Sequence, residues 1–479
     1  MQHSLVKKSQ LNDSMRIDAE HYSPRFFPML KLLAAKQHMP LSEILSRSVI
    51  TGHTPSKSNE SFYVEGKIKF VKTDNLRSGY VDFEGVDLIT ESGNAEIKQS
   101  ELKNDDVIVT IIGATESIVG RAARIFSDIG RANINQNIAL IRSKWPAGYI
   151  VSYLNSKYGR DQLHWLSRQT EQVNLNCREV ELLQFPKFDD DFIALIENIN
   201  TSSYRYSISG KQLFAKAENL LLSGFGLIDW RSKHRLSYAK KFSDTQTANR
   251  IDAEYYQPMY EEITEALTKH GHVQRLGDLV TIKKCVEPGS EAYQEEGIPF
   301  VRVSNLSKFE INNNNQQYLS EELYNELKEN QPAKGEILLS KDATPGIAYY
   351  LADKPTPMIP SSGILRLGLN DKNTVNPEYL TLVLNAVTTQ KQIERDVGGS
   401  IIIHWLPDQV KNTLIPILDI KKQQTIGDIV NKSSLLYQQS KALLEIATRG
   451  VEMAIEQNEK AAEQWINNQL TNLDVQINS

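Results

Sequence analysis

The chain has little of several features that define whole classes of protein. Its 479 residues include only two cysteines, and Cys177 and Cys285 lie too far apart in the sequence to form a metal-binding or redox spacing. No apolar run reaches the roughly 18 residues of a membrane span, and the first eight residues lack the apolar core of a secretion signal. We therefore expect a reduced, cytoplasmic location and no membrane partner.

An overall excess of positive charge is also missing. The net charge is −5 over the whole chain, +3 over residues 1–188 and −7 over residues 249–418, whereas freestanding nucleic-acid binders are usually basic. If the chain holds DNA, local cationic patches or a partner must supply much of the attraction for phosphate. No G-x-x-x-x-G-K-S/T loop occurs, which argues against ATP-driven translocation. The nine histidines are scattered, so no metal site is predicted.

What the chain does have is an internal repeat at an offset of about 230 residues. The copies are clearest where Arg16-Ile17-Asp18-Ala19-Glu20 returns as Arg250-Ile251-Asp252-Ala253-Glu254, where Phe70-Val71-Lys72 returns as Phe300-Val301-Arg302, and where Tyr149 and Pro186 return as Tyr379 and Pro416. A shared offset over most of a half-chain indicates duplication. We therefore expect two copies of one fold related by an approximate two-fold axis, a symmetry that duplex DNA also has.

Each copy combines short strands with helices. Strand composition occurs at residues 68–71, 107–112 and 138–141 and again at 298–303, 336–340 and 364–367, with helices predicted near 149–155 and 379–385. Glycines between these runs mark turns. The sequence thus predicts an α+β fold, with target domains at 1–188 and 250–418, long helices at 189–222 and 419–460, a connector at 223–249 and a C-terminal tail at 461–479.

A seven-residue apolar pattern marks both long helices. The spacing alternates between three and four residues along Ile196, Ile199, Ser203, Tyr206, Gly210, Leu213, Ala217 and Leu220, and along Ile426, Ile429, Ser433, Leu436, Ser440, Leu443, Ala447 and Gly450. Such a period predicts a left-handed coiled coil, and two-fold symmetry requires the two helices to be antiparallel. Each would be about 50 Å long, comparable with the roughly 34 Å between half-sites on DNA. The alternative is that each helix packs only on its own domain.

The residues in this order resemble a known family. The similarity rests in the first copy on 52–57, 66–71, 74–76, 106–109, 120–123 and 135–138, and in the second on 297–306, 335–340 and 345–348. It is a similarity to the specificity (S) subunits of Type I restriction-modification systems, and it covers nearly the whole chain. The second copy departs from the pattern where the pair Thr54-Pro55 has no counterpart.

The resemblance implies a non-catalytic subunit that works in phage defence. Two target recognition domains would each read one half of a split DNA sequence, and the helices would set the gap between the halves. They would also hold two adenine methyltransferase (M) subunits, to which two restriction/translocase (R) subunits can add. S-adenosylmethionine, Mg and ATP would bind those partners, and no cofactor or metal is expected on this chain.

Polar and cationic side chains on loops between strands are the candidates for DNA contact. Arginine pairs with guanine, asparagine or glutamine with adenine, and lysine or backbone N–H groups hold phosphates. The candidates are Thr54, Ser56, Lys57, Lys72, Thr73, Asn75, Arg77 and Arg121 in the first copy and Lys283, Lys284, Arg302, Ser304, Asn305 and Lys341 in the second. The candidates for the helix pair or the partner interface are Ile196, Ile199, Leu213, Leu220, Ile426, Ile429, Leu436, Leu443 and Leu444.

Two short motifs favour structural interpretations. Asn376-Pro377-Glu378-Tyr379 is similar to the Asn-Pro-Pro-Tyr of amino-methyltransferases but lacks the second proline and a donor-binding turn, so we interpret it as a helix start. The repeated Arg16–Glu20 motif predicts structure, for instance helix capping by Asp18 and Asp252, with partner docking as the alternative. Two other functions remain open, namely targeting within a different methylation-based defence complex and a scaffold that binds protein or glycan.

Overall fold

The computed structural model describes residues 16, 18–56, 59–169, 173–270, 272–313, 315–397 and 403–477. The chain forms two compact units. Unit 1 comprises residues 1–206 and 439–479, and unit 2 comprises residues 207–438. Each unit therefore contains one copy of the repeat together with part of each long helix.

The first copy contains six helices and twelve strands among its described residues. The helices are α1 (Phe27–Ala34), α2 (Leu41–Ile44), α3 (Glu91–Glu96), α4 (Ala147–Asn155), α5 (Lys157–Leu166) and α6 (Cys177–Glu181). The strands are β1 (His38–Pro40), β2 (Ile50–Thr51), β3 (Ile68–Val71), β4 (Asp87–Ile89), β5 (Val107–Thr110), β6 (Ile112–Gly113), β7 (Ala122–Arg124), β8 (Ala132–Ile134), β9 (Ile138–Ile141), β10 (Arg168–Gln169), β11 (Val173–Asn174) and β12 (Gln184–Pro186).

The rest of the chain begins with the first long helix and ends with the second and a shorter one. The helices are α7 (Asp190–Gly224), α8 (Phe242–Ala248), α9 (Pro258–His270), α10 (Leu276–Leu279), α11 (Glu321–Glu326), α12 (Pro377–Asn385), α13 (Val387–Val397), α14 (Pro407–Asn412), α15 (Ile420–Glu456) and α16 (Glu459–Asn472). The strands are β13 (His272–Arg275), β14 (Val280–Lys284), β15 (Ile298–Val301), β16 (Gln317–Leu319), β17 (Glu336–Ser340), β18 (Ala348–Tyr350), β19 (Ile359–Pro360), β20 (Ile364–Leu369) and β21 (Leu414–Ile417).

The two units share the topology of three sheets, and unit 1 also contains the three-stranded sheet β10-β11-β6. The antiparallel sheet β2-β9-β5-β7 of unit 1 has its counterpart in β14-β20-β17-β18 of unit 2. The mixed sheet β4-β3-β8 corresponds to β16-β15-β19, and the pair β1-β12 corresponds to β13-β21. The predicted α+β duplication is thus confirmed. The single strand predicted over 107–112 is wrong, because the Ile111 N–H donates to Asn137 O at 2.9 Å and β6 pairs with β11.

Repeated residues make the same contacts in each unit. The Tyr149 hydroxyl donates to Pro186 O at 2.6 Å, and the Tyr379 hydroxyl donates to Pro416 O at 2.8 Å. Both tyrosines are fully buried, and their burial raises the pKa of both hydroxyl groups. These bonds join the central helix of each copy to the strand that closes it, which explains why the sequence repeats both members of the pair.

The repeated arginine–aspartate motif is also structural. Arg16 donates to Leu166 O at 2.7 Å and pairs with Asp18, while Arg250 donates to Asp396 O at 3.1 Å and pairs with Asp252. The hydrogen bond from each arginine lowers the pKa of its aspartate. The predicted structural role is confirmed. The main partner of each aspartate, however, is the arginine of the same motif and not a helix N-terminus. The guanidinium group binds the carboxylate on one side and a backbone carbonyl group at the end of a helix on the other.

The long helices run antiparallel within each unit. In unit 1 the Ser203 hydroxyl donates to Ser440 O at 2.7 Å, and Ile196 lies next to Gly450. In unit 2 the Ser433 hydroxyl donates to Gly210 O at 2.7 Å. A Cβ atom at Gly210 would lie 3.1 Å from Ser433 O. The small residues of the seam therefore allow backbone-to-side-chain hydrogen bonds between the helices, and the prediction of an antiparallel pair is confirmed.

The assignment of residues 461–479 to a tail needs correction. The second long helix ends at Glu456, and α16 follows after two residues. Ala462, Ile466 and Leu470 are buried in the core of unit 1, because their four-residue spacing places them on one face of a helix. No described helix is long and apolar enough to span a bilayer.

Candidate nucleic-acid interface

Several predicted DNA-contact residues of each copy lie on a short 3-10 turn, after β3 in the first copy and after β15 in the second. The Asn75 side-chain oxygen accepts from the Lys72 backbone N–H at 2.9 Å, and Asn305 accepts from the Arg302 backbone N–H at 3.1 Å. Both amides therefore fix a turn, and Asn305 is fully buried. Each turn also carries a hydroxyl group. Thr73 on the first turn is half-buried, and Ser304 on the second is exposed.

A groove in unit 1 brings together two of the predicted residues. It encloses about 380 Å³ and is lined by Thr54, Glu60, Tyr63, Val64, Phe70, Lys72 and Asp87. The Thr54 hydroxyl donates to Gln136 Oε1 at 2.5 Å, and Lys72 Nζ forms an ion pair with Asp87. Ser56, two residues after Thr54 in the sequence, is exposed. Lys57 lies outside the described residues. The groove combines hydroxyl, cationic and aromatic groups of the kind that contact base edges.

Three arginines meet at the loop between β6 and β7. The Gly79 N–H donates to Ala122 O at 2.8 Å, which brings Arg77 beside Arg121. Arg121 Nε donates to Ser117 O at 3.0 Å, and Arg160 Nη2 on α5 donates to the same oxygen at 3.0 Å. Burial and then repulsion by Arg77 lower the pKa of Arg121. Burial and then repulsion by Arg121 lower the pKa of Arg160 to about 10.

Arg160 is the residue that sequence reasoning missed. It lies on a helix, outside the loops from which the contact candidates were chosen. The sequence nevertheless contained a hint, because the repeat pairs Arg160 with the neutral residue Gln390. A charge present in only one of two copies is informative when the backbone is otherwise repeated.

The cations predicted in unit 2 have acidic or carbonyl neighbours. Lys283 Nζ lies 3.6 Å from Glu336 Oε1, and Arg302 Nη2 donates to Asn315 O. Lys341 Nζ pairs with Asp342 Oδ2 at 2.5 Å. Lys284 is exposed at the end of β14. Acidic partners of predicted cations therefore occur in both units, since Lys72 of unit 1 pairs with Asp87.

The predicted helix-pair residues divide into buried and exposed groups. Four are buried, namely Ile196, Ile199, Ile426 and Leu443. Four are half-buried, namely Leu213, Ile429, Leu436 and Leu444, and Leu220 is exposed. In unit 2, Leu221 is buried whereas Leu220 is 39% exposed. An α-helix has 3.6 residues per turn, so a 3.5-residue pattern drifts by about 20° per heptad and the buried stripe moves to the next residue.

Leu220 lies instead in an open groove on the outer face of α7. The groove encloses about 400 Å³ and is lined by Gln212, Ala215, Lys216, Asn219, Leu220, Ser223 and Ile228. At the matching face of α15 in unit 1, Gly450 is covered by Ile466 of α16. The same helix face is therefore filled in one copy and open in the other.

The motif at residues 376–379 is part of a helix N-terminus. The Asn376 side chain accepts from the Tyr379 N–H at 2.8 Å and caps α12, which confirms the interpretation of this motif as a helix start. No group of three or more His, Cys, Asp or Glu side chains in the described part of the chain is arranged to hold a metal ion.

Comparison with known proteins assigns the second copy to a family. Residues 271–445 match the model of the Type I restriction modification DNA specificity domain. No curated protein matches the sequence significantly.

Solved structures of low identity are also similar. A Type I restriction-modification S subunit from M. genitalium is 14% identical, with 88% of this chain and 94% of that chain covered and a TM-score of 0.38. The HsdS subunit from Thermoanaerobacter tengcongensis is 13% identical, with 88% and 97% covered and a TM-score of 0.28. A chain from a structure on complex assembly and conformational transition of the type I R-M system is 14% identical, with 90% and 97% covered and a TM-score of 0.27.

Because these TM-scores are below 0.5, the assignment depends on the family match and on the repeat. Residues 271–445 match a Type I restriction modification DNA specificity domain, and the first copy of the repeat has sheets of the same topology.

Proposed function

We propose that this chain is the targeting subunit of a DNA methyltransferase complex and recognises a bipartite DNA sequence. One observation carries the proposal: a fold that matches a DNA specificity domain over residues 271–445 occurs twice in one chain. Two recognition folds in one polypeptide suit a target with two halves. The antiparallel helices that join the copies would set the gap between those halves.

The chemistry would then belong to partner chains. Two adenine methyltransferase subunits would bind S-adenosylmethionine and transfer the methyl group, and two restriction/translocase subunits would use ATP and Mg when they join. This chain would bind and orient the DNA with the exposed polar groups of its loops. The groove at Thr54 and Lys72 in unit 1 and the β15 turn at Arg302 and Ser304 in unit 2 are the candidate reading surfaces.

Methylation mapping tests the targeting function. In cells that lack this chain, one split methylated motif is expected to disappear from the methylome and to return when the chain is supplied again. Co-purification followed by identification of the partners separates a Type I complex from another methylation-based system. An unchanged methylome would contradict the proposal and would favour a scaffold role.

The groove on α7 is the candidate docking surface for a methyltransferase subunit. Leu220→Asp is expected to lower the amount of methyltransferase that co-purifies with the chain by about tenfold or more, because a charge would replace an apolar contact at the centre of an interface. Quantified co-purification measures this effect. Leu182→Asp, at a leucine of unit 1 that is also exposed, is the matched control and should leave the ratio unchanged. An equal yield from the Leu220 variant would exclude the groove as the docking surface.

A further inference from the structure

The three arginines of unit 1 have neutral counterparts on an equivalent backbone in unit 2. Arg77, Arg121 and Arg160 correspond to Ser307, Ile347 and Gln390. The Arg77 N–H donates to Tyr80 O at 3.0 Å and the Ser307 N–H donates to Glu310 O at 2.9 Å. The Thr110 N–H donates to Arg121 O at 2.9 Å, and the Ser340 N–H donates to Ile347 O at 2.9 Å. At these hydrogen bonds the two copies share the backbone arrangement and differ in side-chain charge.

The position under the turn holds a neutral side chain in unit 2. A Cβ atom at Gly120 would lie 3.4 Å from Arg160 Nη1, and a Cβ atom at Gly346 would lie 2.6 Å from Gln390 Nε2. Gln390 Nε2 donates to Gly346 O at 3.0 Å. A neutral glutamine thus packs under this glycine turn in unit 2 as Arg160 does in unit 1, so the glycine turn itself does not require a cation. In unit 1 the Arg160 guanidinium also donates to Glu116 O and Ser117 O, both at 3.0 Å.

The arginine cluster is electrostatically unfavourable as it stands. Mutual repulsion contributes to the lowered pKa values of Arg121 and Arg160. Arg160 Nη1 is buried and has no hydrogen-bond partner among the described residues, which costs free energy unless another group compensates. An anion beside the cluster would offset both costs.

The acidic side chains near the cluster compensate only part of its positive charge. Arg77 Nη2 is 3.4 Å from Asp82 Oδ2, a long and partly exposed pair of the kind that contributes little. Glu116 is engaged by Arg25 at 2.6 Å. The remaining acid that acts on Arg121 is Asp74, whose backbone oxygen accepts a hydrogen bond from Arg77.

We infer that Arg77 and Arg121 bind one phosphodiester group of DNA and that the matching positions of unit 2 do not. The inference rests on the proposed function and deepens it. Arg160 is a positioning residue, because its guanidinium holds the carbonyl group of Ser117 to which Arg121 also donates and adds charge beneath the site. Unit 1 therefore makes an electrostatic contact with the DNA backbone at a position where unit 2 has neutral side chains.

The salt dependence of DNA binding tests this site. Arg77→Ser combined with Arg121→Ile installs the residues that unit 2 has at these positions. Fluorescence anisotropy with the full-length chain and a labelled 30-base-pair duplex is measured over a range of KCl concentrations. Loss of one phosphate contact is expected to reduce the slope of log K against log salt by about 0.9. Arg160→Gln is expected to weaken DNA binding while the thermal unfolding midpoint stays unchanged.

Arg178→Gln combined with Arg205→Gln removes the same charge from two exposed arginines and serves as the control. The inference is overturned if the wild-type chain binds DNA and the slope of the double variant is unchanged, or if the control lowers the slope equally. Calorimetry with inorganic phosphate distinguishes the source of the anion: tight binding of free phosphate with an unchanged DNA slope would also overturn it. Failure of the wild-type chain to bind any duplex would instead contradict the proposed function itself.

Discussion

Exchange of residues 41–183 for the matching segment of a related specificity subunit is expected to change one half of the methylated sequence completely and to leave the other half unchanged. The reason is that unit 1 has its own core and its own reading loops. The junctions follow from hydrogen bonding, since β1 pairs with β12 and the Leu41 N–H donates to Leu183 O at 2.7 Å. Exchange of residues 41–188 would pair β1 of this chain with β12 of the relative. Exchange of 41–183 keeps both strands from this chain. Methylome sequencing is the measurement.

The second copy offers a matched exchange at 276–413. There the Leu276 N–H donates to Thr413 O at 2.9 Å, and β13 pairs with β21. This exchange should change the other half of the motif. If either exchange altered both halves, the assignment of one half-site to each unit would be wrong.

Arg366→Ala is expected to lower the free energy of unfolding of unit 2 by about 3–5 kcal/mol, the usual cost of leaving a buried charge without its partner. The side chains of Arg366 and Glu336 are only 5% and 9% exposed, and they are joined at 2.8 Å and 3.1 Å. Without Arg366, the nearest cation to Glu336 is Lys283 at 3.6 Å. Urea unfolding at pH 7, followed by hydrogen exchange in β17 and β20, measures the loss.

The pH dependence of this effect has a definite sign. Burial by itself raises the pKa of Glu336, but the hydrogen bonds from Arg366 and from the backbone outweigh it and hold the pKa below its usual value of 4.5. A carboxyl group whose folded pKa is depressed stabilises the fold above the unfolded pKa and loses that contribution as the pH falls through the folded pKa. The difference between wild type and variant should therefore shrink below about pH 4.5.

An exposed ion pair in the same unit provides the control. Lys334 lies 3.7 Å from Asp353, and both side chains are largely exposed, so Lys334→Ala should change the unfolding free energy by less than about 1 kcal/mol. Replacing both buried partners with Arg366→Met and Glu336→Leu should recover much of the loss, because no unpaired charge remains. An Arg366→Ala variant as stable as wild type would contradict the account.

Periodic features of this chain were predictable, whereas single contacts were not. The second long helix was predicted over 419–460 and spans Ile420–Glu456, and this agreement is close because its seven-residue pattern persists for many turns. The buried stripe passes from Leu220 to Leu221, a shift that depends on the twist of the actual helix. Helix α16 escaped prediction because only Ala462, Ile466 and Leu470 mark its buried face.

The candidate site shows the same division. Arg77 and Arg121 could be selected from the sequence as loop cations, but their proximity depends on the hydrogen bond from Gly79 to Ala122. Arg160 joins them only because α5 packs against the Gly120 turn. Likewise, Glu336 lies far from Lys283 in the sequence, so this ion pair could not be foreseen as a limit on the availability of Lys283 for DNA.

The sequence by itself determined the duplication, the fold class and the pairing of two long helices, because repeats and periodic patterns are properties of residue order. The tertiary structure decided which side chains share a surface, which cations have acidic partners and which helix faces are open. Those outcomes depend on contacts between residues far apart in the chain, and spacing along one strand or helix carries no information about them.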